Sequence, residues 1–305
     1  MDDREFYCGV CTFEGRTCEA NHAGKNISQR VVSQLLSDGF HLGQLAPYDL
    51  FARIRGRTLW FLGDSQTWHF YLAAECFLHS FAVDYRRRNV TDEPQLRLRL
   101  RPVTKPKERY PQCLHLREGT RVCAVRADDA WSMTQDVLPT LRTLAGGNLS
   151  ADLMVWNFGL HHPPTEEVYG VQLDHAAQYV QANKAWLPQL VWMDTPPQHF
   201  ATPSGMFTNQ LRAVPKPWRC GKMQYYDLPA IQQGGAFNLM ARSRVPRLGR
   251  AHLATWGPTL PLHYAHVQKE CTHFCHPGAY QLWTYLLAEL LRREGLGTQL
   301  PGSLL

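Results

Sequence analysis

The sequence lacks any long apolar segment. No run of about 18 apolar residues occurs in the 305-residue chain, so a membrane-spanning helix is not predicted. Met1 is followed by Asp2, Asp3 and Arg4 rather than by the apolar core of a secretory signal peptide. We therefore expect one of two situations: a targeting segment, with or without a membrane anchor, is missing from this chain, or the protein stays outside the secretory pathway.

Internal repeats are absent as well, and no basic segment is interleaved with aromatic residues, so nucleic acid is not expected as a partner. The net charge of +6 is moderate and specifies no particular ligand. Residues 86–126 hold twelve Lys or Arg against four Asp or Glu. Within them, "LRLRLRP" at 96–102 predicts a strand with a leucine face and an arginine face. The arginine face is either simply solvated or a surface for an anionic glycan or phosphate.

Cysteine, by contrast, is plentiful. Nine cysteines and three Asn-x-Ser/Thr sequons, at Asn26, Asn89 and Asn148, are both explained by an oxidising secretory lumen. Cys113 and Cys123 bracket a predicted hairpin turn, which makes a disulfide between them plausible. An alternative is a zinc site whose ligands would be Cys8, Cys11, Cys271, His273, Cys275 and His276. The odd cysteine count leaves one thiol free or paired with another chain.

Short apolar runs alternate with helical patterns along most of the chain. Strands are predicted at 58–63, 151–159 and 188–197, and helices after Ser65, at 174–187 and at about 279–294. This alternation predicts an α/β fold with a central parallel sheet. Residues 31–42 suggest a short helix or turn, and the proline-rich residues 201–262 a long surface excursion. We divide the chain into a cysteine-containing flap at 1–50 and a catalytic domain at 51–305.

Polar residues follow several of the predicted strands. In a parallel sheet the carboxyl ends of the strands share one edge, and ligands bind there. Ser65 can supply a nucleophilic hydroxyl, and His273 the imidazole that takes its proton. Glu270, three residues before His273, can fix the tautomer of that imidazole. These three side chains are the predicted catalytic residues.

An oxyanion would need hydrogen-bond donors at the same edge. The candidates are the backbone N–H groups of Ser65 and Gly159 and the side-chain amide of Asn157. Each residue also has a purely structural interpretation. Ser65 can cap a helix, His273 can be a packed histidine, and Asn157 can form a turn.

Five sequence blocks carry a resemblance to a known family. They are "LWFLGDS", the "AAEC" that contains Cys76, "VWNFG", "DTPPQHF" and "ECTHFCHPGAYQLW". Together they resemble the PC-esterase and trichome-birefringence-like family of the SGNH/GDSL superfamily, over about residues 50–290. The last block is the most specific, because two cysteines, a histidine and Pro-Gly fall at the expected offsets.

The resemblance implies a three-layer α/β/α sandwich of flavodoxin-like strand order and O-acyl chemistry on glycans. It makes Ser65 the nucleophile, His273 the base, Gly63 and Asp64 parts of the nucleophile block, and Asn157 an oxyanion donor. It also implies a Cys220–Cys271 disulfide, with Cys76 and Cys275 tying down amino-terminal cysteines. Three departures from the family are Glu270 in place of Asp, Trp68 in place of the Arg of plant members, and Pro196 in place of Ser.

We therefore expect a serine-dependent O-acyltransferase, with O-acetyl transfer to a polysaccharide or glycan as its reaction. No bound cofactor is expected; acetyl-CoA or another acetyl carrier would be the co-substrate. Trp68, His161 and His199 are candidate substrate-binding residues, and the Golgi lumen or the exterior is the expected location. One alternative is a carbohydrate esterase with the same triad, and another is a non-catalytic glycan-binding protein whose tryptophans stack on sugars.

Overall fold

A computed structural model describes residues 16–39, 46–83, 88–89, 112–225 and 227–297. Cys8, Cys11 and the predicted strand at 96–102 lie outside these residues. The strands are β1 Thr58–Gly63, β2 Arg88–Asn89, β3 Gln112–His115, β4 Arg121–Arg126, β5 Leu153–Asn157, β6 Gln189–Met193 and β7 Ala251–Leu253. The helices are α1 Cys18–Asn21, α2 Ile27–Ser37, α3 Pro47–Ile54, α4 Ser65–Phe77, α5 Leu138–Leu144, α6 Val171–Asn183, α7 Pro229–Gln232, α8 Gly235–Arg242, α9 Val245–Leu248, α10 Trp256–Thr259 and α11 Ala279–Arg293. Shorter 3₁₀ or π turns occur at His79–Phe81, Ser132–Val137, Glu166–Gly170 and Asn209–Ala213.

One sheet with the strand order β2-β3-β4-β1-β5-β6-β7 forms the centre of the molecule. The five strands from β4 to β7 are parallel, whereas β2 and β3 are antiparallel additions at one edge. Numbered among themselves along the chain, the parallel strands lie in the order 2-1-3-4-5, the flavodoxin-like order. The predicted fold class is confirmed. The order reverses between β1 and β5, which makes the carboxyl ends of these two strands the expected ligand-binding point.

Alternate residues of β1 show that helices cover both faces of the sheet. Leu59 and Phe61 belong to one apolar cluster, which also contains buried residues of α2, α3, α4 and α11. Trp60 and Leu62 belong to a second cluster with buried residues of α5, α6, α8 and α9. Because side chains of a strand alternate between faces, these clusters are the two cores of a three-layer sandwich.

The hairpin β3–β4 matches the sequence prediction. Its turn places Glu118 and Gly119 at φ values of 58° and 67°, the two consecutive positive values of a tight hairpin turn. Cys113 faces Cys123 in the register, and the two form a disulfide.

Two further disulfides connect distant parts of the chain. Cys18 is bonded to Cys275, and Cys220 to Cys271; Cys76 is also disulfide-bonded. The zinc alternative is therefore wrong for Cys271 and Cys275, because their sulfurs are bonded to other cysteines. In the described part of the chain, no group of three or more metal-ligating side chains is arranged to hold an ion. The disulfides are typical of proteins from an oxidising, extracytoplasmic compartment.

The prediction that residues 201–262 form a long surface excursion is wrong for part of this range. Ala251–Leu253 adds β7 to the sheet beside β6, and Phe237, Ala241 and Leu248 are buried in a core. These elements are only three to eight residues long, too short to show a periodic pattern. Moreover, Pro229 and Pro246 lie in the first turns of α7 and α9, where proline favours a helix.

The amino-terminal residues that the structure describes are tied to the end of the chain. The Cys18 N–H donates to the His276 carbonyl at 2.6 Å, and the Gln268 N–H to the Asn21 side chain at 2.9 Å. The division of the chain at residue 50 stays a prediction. Within the described residues, no helix has both the length and the apolar character needed to cross a membrane.

Candidate active site

The turn between β1 and α4 determines where Ser65 lies. β1 ends at Gly63, Asp64 is the N-cap residue of α4, and Ser65 is the first helical residue. The Gln66 N–H donates to Asp64 Oδ1 at 2.9 Å, so Asp64 rather than Ser65 caps the helix. The capping interpretation of Ser65 is therefore wrong, and its hydroxyl remains available for another partner.

That partner is His273. The Ser65 Oγ lies 2.7 Å from His273 Nε2, although 208 residues separate the two in sequence. On the other side of the ring, His273 Nδ1 lies 2.8 Å from both carboxylate oxygens of Glu270. A carboxylate only accepts hydrogen bonds, so Nδ1 carries the proton and Nε2 presents a lone pair to the serine hydroxyl. The three predicted catalytic side chains are thus in hydrogen-bond contact, in the order that nucleophilic catalysis by a serine requires.

The His273 loop is held in place from several directions. Cys271 and Cys275, two residues before and after His273, are both in disulfides. Between them, the Thr272 carbonyl accepts a hydrogen bond of 2.5 Å from the Gln66 side chain, and Gln66 in turn accepts one of 2.7 Å from the Tyr280 hydroxyl. The residue next to Ser65 therefore anchors the residue next to His273.

Glu270 itself is partly exposed and has a cationic neighbour. Its side chain is 26% exposed, and the guanidinium of Arg16 lies 3.7 Å from its Oε1. Arg16 belongs to the amino-terminal segment, so that segment reaches the candidate triad.

Burial dominates the electrostatics around Asp64. The side chain is fully buried, and its Oδ2 has no hydrogen-bond partner among the described residues. Burial raises the pKa of this carboxyl, while His161 and the Gln66 N–H oppose the shift. Asp64 shapes the turn that presents Ser65 but is not in contact with the imidazole of His273.

Asn157 lies at the predicted place but is engaged elsewhere. Its amide nitrogen donates to the Met193 carbonyl at 2.7 Å and to Thr195 Oγ1 at 3.2 Å, and its side chain is fully buried. Both N–H groups are thus used inside the fold, and the structure does not support an oxyanion-donor role. The Gly159 N–H stays a predicted candidate; the residue packs tightly against Thr195 and Tyr169.

Two of the three candidate substrate-binding residues are not accessible. His199 is fully buried, and both of its ring nitrogens have hydrogen-bond partners. Trp68 is only 8% exposed and packs in the core 5.5 Å from the ring of Tyr71. The sequence could not show these environments, because the burial of both residues depends on packing against residues distant in sequence. His161, with a 43% exposed side chain, remains a candidate.

Sequence reasoning missed the residues that follow β4. Arg126 ends β4, and its guanidinium lies 2.9 Å from the carboxylate of Asp128. His161 Nε2 lies 3.9 Å from the same carboxylate. The Ala127 N–H donates to the Gly63 carbonyl, which places this polar group beside the turn that carries Ser65. The only signal in the sequence was the polar ending of an apolar strand, as at β1 and β5.

Comparisons with known proteins identify no family for this chain. No family model matches it, and no curated protein matches it. Among solved structures, it is similar to the periplasmic domain of a lipopolysaccharide acetyltransferase from Salmonella ser. Paratyphi A, with 9% sequence identity and a TM-score of 0.35. That similarity covers 89% of this chain and 97% of the other. A likeness of this size indicates no function, so the resemblance to the PC-esterase family stays a prediction.

Proposed function

We propose that this protein is a serine-dependent O-acyltransferase that moves an acyl group, such as acetyl, onto a hydroxyl of a glycan. The observation that carries the proposal is the contact of 2.7 Å between Ser65 Oγ and His273 Nε2, with Glu270 at 2.8 Å on the other ring nitrogen. A binding protein has no need of these three groups in this order.

The proton moves along the same contacts. As Ser65 Oγ attacks the carbonyl carbon of the acyl donor, its proton passes to His273 Nε2. The tetrahedral intermediate then breaks its bond to the donor's leaving group, which takes the proton from His273. This leaves an acyl ester on Ser65. In the second half-reaction His273 takes a proton from the acceptor hydroxyl, whose oxygen attacks the ester carbonyl. The bond from that carbon to Ser65 Oγ then breaks, and the proton on His273 returns to Ser65 Oγ.

The amino-terminal end of α4 supplies the first hydrogen-bond donor for the oxyanion. Ser65 is the first residue of this helix, so its N–H has no carbonyl partner within the helix. The partial positive charge of the helix end also favours negative charge at this point. The N–H of Ser65 therefore replaces the amide of Asn157 as the leading candidate.

The acceptor assignment draws on the polar groups beside the triad. Arg126, Asp128 and His161 provide donors and acceptors that suit sugar hydroxyls, next to the turn that carries Ser65. The disulfides suit a protein that works where polysaccharides are assembled or modified outside the cytoplasm. The proposed acyl donor is acetyl-CoA or another acetyl carrier.

The nucleophile can be tested without knowing the substrate. The protein is incubated with a fluorophosphonate or an activated acetyl ester, and the modified residue is located by peptide mass spectrometry. We expect a single adduct on Ser65, lost in Ser65→Ala and strongly slowed in His273→Ala. Ser132→Ala is a matched control, because Ser132 Oγ donates to a carboxylate at 2.8 Å and has no histidine partner.

The outcomes separate the competing functions. An acetyl adduct on Ser65 that decays faster when sugar alcohols are added supports transfer. Decay of the acetyl adduct in water at a rate that sugar alcohols do not change would point to an esterase. Absence of any Ser65 adduct, while glycan binding persists in Ser65→Ala, would overturn the catalytic proposal in favour of a binding protein.

A further inference from the structure

Two buried histidines behind the His273 loop take no part in the triad. His199 and His266 face each other, with His199 Nδ1 only 2.6 Å from His266 Nε2. The outer nitrogens face backbone carbonyls. His199 Nε2 lies 2.9 Å from the Leu260 oxygen, and His266 Nδ1 lies 3.0 Å from the oxygen of His273. The pair thus connects the 260 region to the main chain of the candidate base.

The contacts of this pair require more protons than two neutral rings hold. A carbonyl oxygen only accepts hydrogen bonds, so both outer nitrogens must carry a proton to bond to it. The short contact between the rings needs a further proton between the two nitrogens. Three contacts therefore need three protons, whereas two neutral imidazoles carry two.

With two protons, one contact must be lost. If the shared proton stays between the rings, either the Leu260 carbonyl or the His273 carbonyl faces a ring lone pair. If both carbonyls receive a hydrogen bond, the lone pairs of His199 Nδ1 and His266 Nε2 point at each other across 2.6 Å, and this contact is repulsive. A third proton, taken from solvent, satisfies all three contacts and leaves the pair with one positive charge.

The surroundings oppose that third proton. Burial is the main cause that lowers the pKa of His199 to about 4, and His263 adds to the shift. Burial also lowers the pKa of His266 well below its usual value, and charge repulsion from His199, His273 and His263 adds to the shift, while the hydrogen bond to the His273 carbonyl opposes it. On the other sides of His266, the Phe274 ring is stacked at 4.2 Å, and His22 Nε2 lies 2.6 Å from the His266 carbonyl.

In the described part of the chain, the formal charges around the pair act on the neighbouring histidine rings. Arg30 and Lys222 act on His263, and Glu270 is hydrogen-bonded to His273. Among the described residues, the groups that contact the pair are histidine rings, the Phe274 ring and backbone carbonyls. At neutral pH the pair therefore holds two protons, and it gains the third on acidification.

We propose that His199 and His266 form a proton-sharing pair that positions the main chain of His273, and that a third proton completes its hold. The Val267 N–H also donates to the His273 carbonyl at 2.9 Å, so the pair supplies the second donor to that oxygen. As positioning residues for the base, the two histidines rest on the proposed function. The proton count itself does not depend on it.

The proton count is measured by ¹⁵N NMR of the full chain with labelled histidine. We expect two protonated nitrogens among the four of the pair near neutral pH, scalar coupling across the contact between the rings, and a third protonated nitrogen in acid before the protein unfolds. Separate rings without coupling, or unfolding without uptake of the third proton, would overturn the proposal. This result stands even if Ser65 proves unreactive.

The positioning role is measured by the rate at which a fluorophosphonate labels Ser65. His266→Leu removes both contacts and should slow labelling about tenfold, as misplacement of a catalytic group does. His266→Asn keeps a donor where Nδ1 lies and should restore most of the rate, which a merely packed histidine would not predict. His263→Gln is the matched control, since His263 lies near His199 but has its own backbone partner at Pro261. Equal rates in His266→Leu and the wild type would contradict the positioning role.

Discussion

Removal of the Cys220–Cys271 disulfide tests how the loop of the candidate base is held. This bond closes 51 residues, and chain-entropy arithmetic assigns it about 4 kcal/mol of the free energy of unfolding. The hairpin disulfide Cys113–Cys123 closes only 10 residues and should contribute about 2.7 kcal/mol. Replacing each cysteine pair by alanines therefore gives two destabilised proteins, of which only one has lost an anchor beside His273.

The functional effects should differ more than the stabilities. Without the disulfide, residue 271 keeps the 3.0 Å hydrogen bond that its carbonyl accepts from the His199 N–H but loses its covalent anchor. A shift of about 1 Å in His273 would slow attack by Ser65 roughly 10- to 100-fold. The hairpin disulfide lies away from the carboxyl end of the sheet, because Cys123 pairs with Trp60, three residues before Gly63 ends β1. Its variant should therefore keep the wild-type rate of acylation.

The assay combines urea unfolding with the rate of Ser65 acylation by an activated acetyl ester, measured well below both melting temperatures. The structure predicts that the Cys220–Cys271 variant is the less stable and much the slower of the two. If both variants acylate Ser65 at the same rate, the loop does not depend on this bond, and the positional argument fails.

Three further changes follow from the same contacts. Glu270→Gln should slow acylation of Ser65 about 10³- to 10⁴-fold, because an amide can donate to His273 Nδ1 and select the wrong tautomer; a change below tenfold in stopped-flow kinetics would contradict the orienting role. Burial, aided by Arg16, lowers the pKa of His276 to about 3, below its unfolded value of 6.5. The unfolded chain therefore gains this proton first, and stability present above pH 6.5 should fall by about 2 kcal/mol at pH 5 in urea titrations, a slope absent from His276→Gln. Gly63→Ala would put a Cβ 2.5 Å from the Asn157 carbonyl and should cost about 1–3 kcal/mol on unfolding, which an unchanged melting temperature would refute.

The parts of the fold that the sequence predicts are those with local patterns. The continuous apolar run at 58–63 indicates a strand buried on both faces, and the structure buries all six residues. The helix after Ser65 was predictable from its residues at helical spacing, such as Trp68, Tyr71 and Leu72. By contrast, β7 has three residues and no alternation to detect, so its place beside β6 emerges only from long-range packing.

In the candidate site, too, the sequence predicts the residues with local patterns but not the contacts between distant residues. Ser65 begins a helix, and Glu270 and His273 stand in the loop before the last helix, where an order of polar residues is readable. Asn157 stands there too, yet its amide donors are used by Met193 and Thr195, a pairing 36 to 38 residues away that no spacing reveals. The contact of His199 with His266, 67 residues apart, is equally invisible to sequence reasoning.

The separation of 208 residues between Ser65 and His273 also has a consequence for synthesis. At roughly 5–20 residues per second, the serine leaves the ribosome about 10–40 s before its base. During that interval the hydroxyl has no proton acceptor, and Cys271 and Cys275 have not yet met their partners. Under the proposed function, the nascent chain therefore passes through the early stages of folding without the Ser65–His273 contact that activates the nucleophile, and it gains that contact only after the His273 loop has been synthesised.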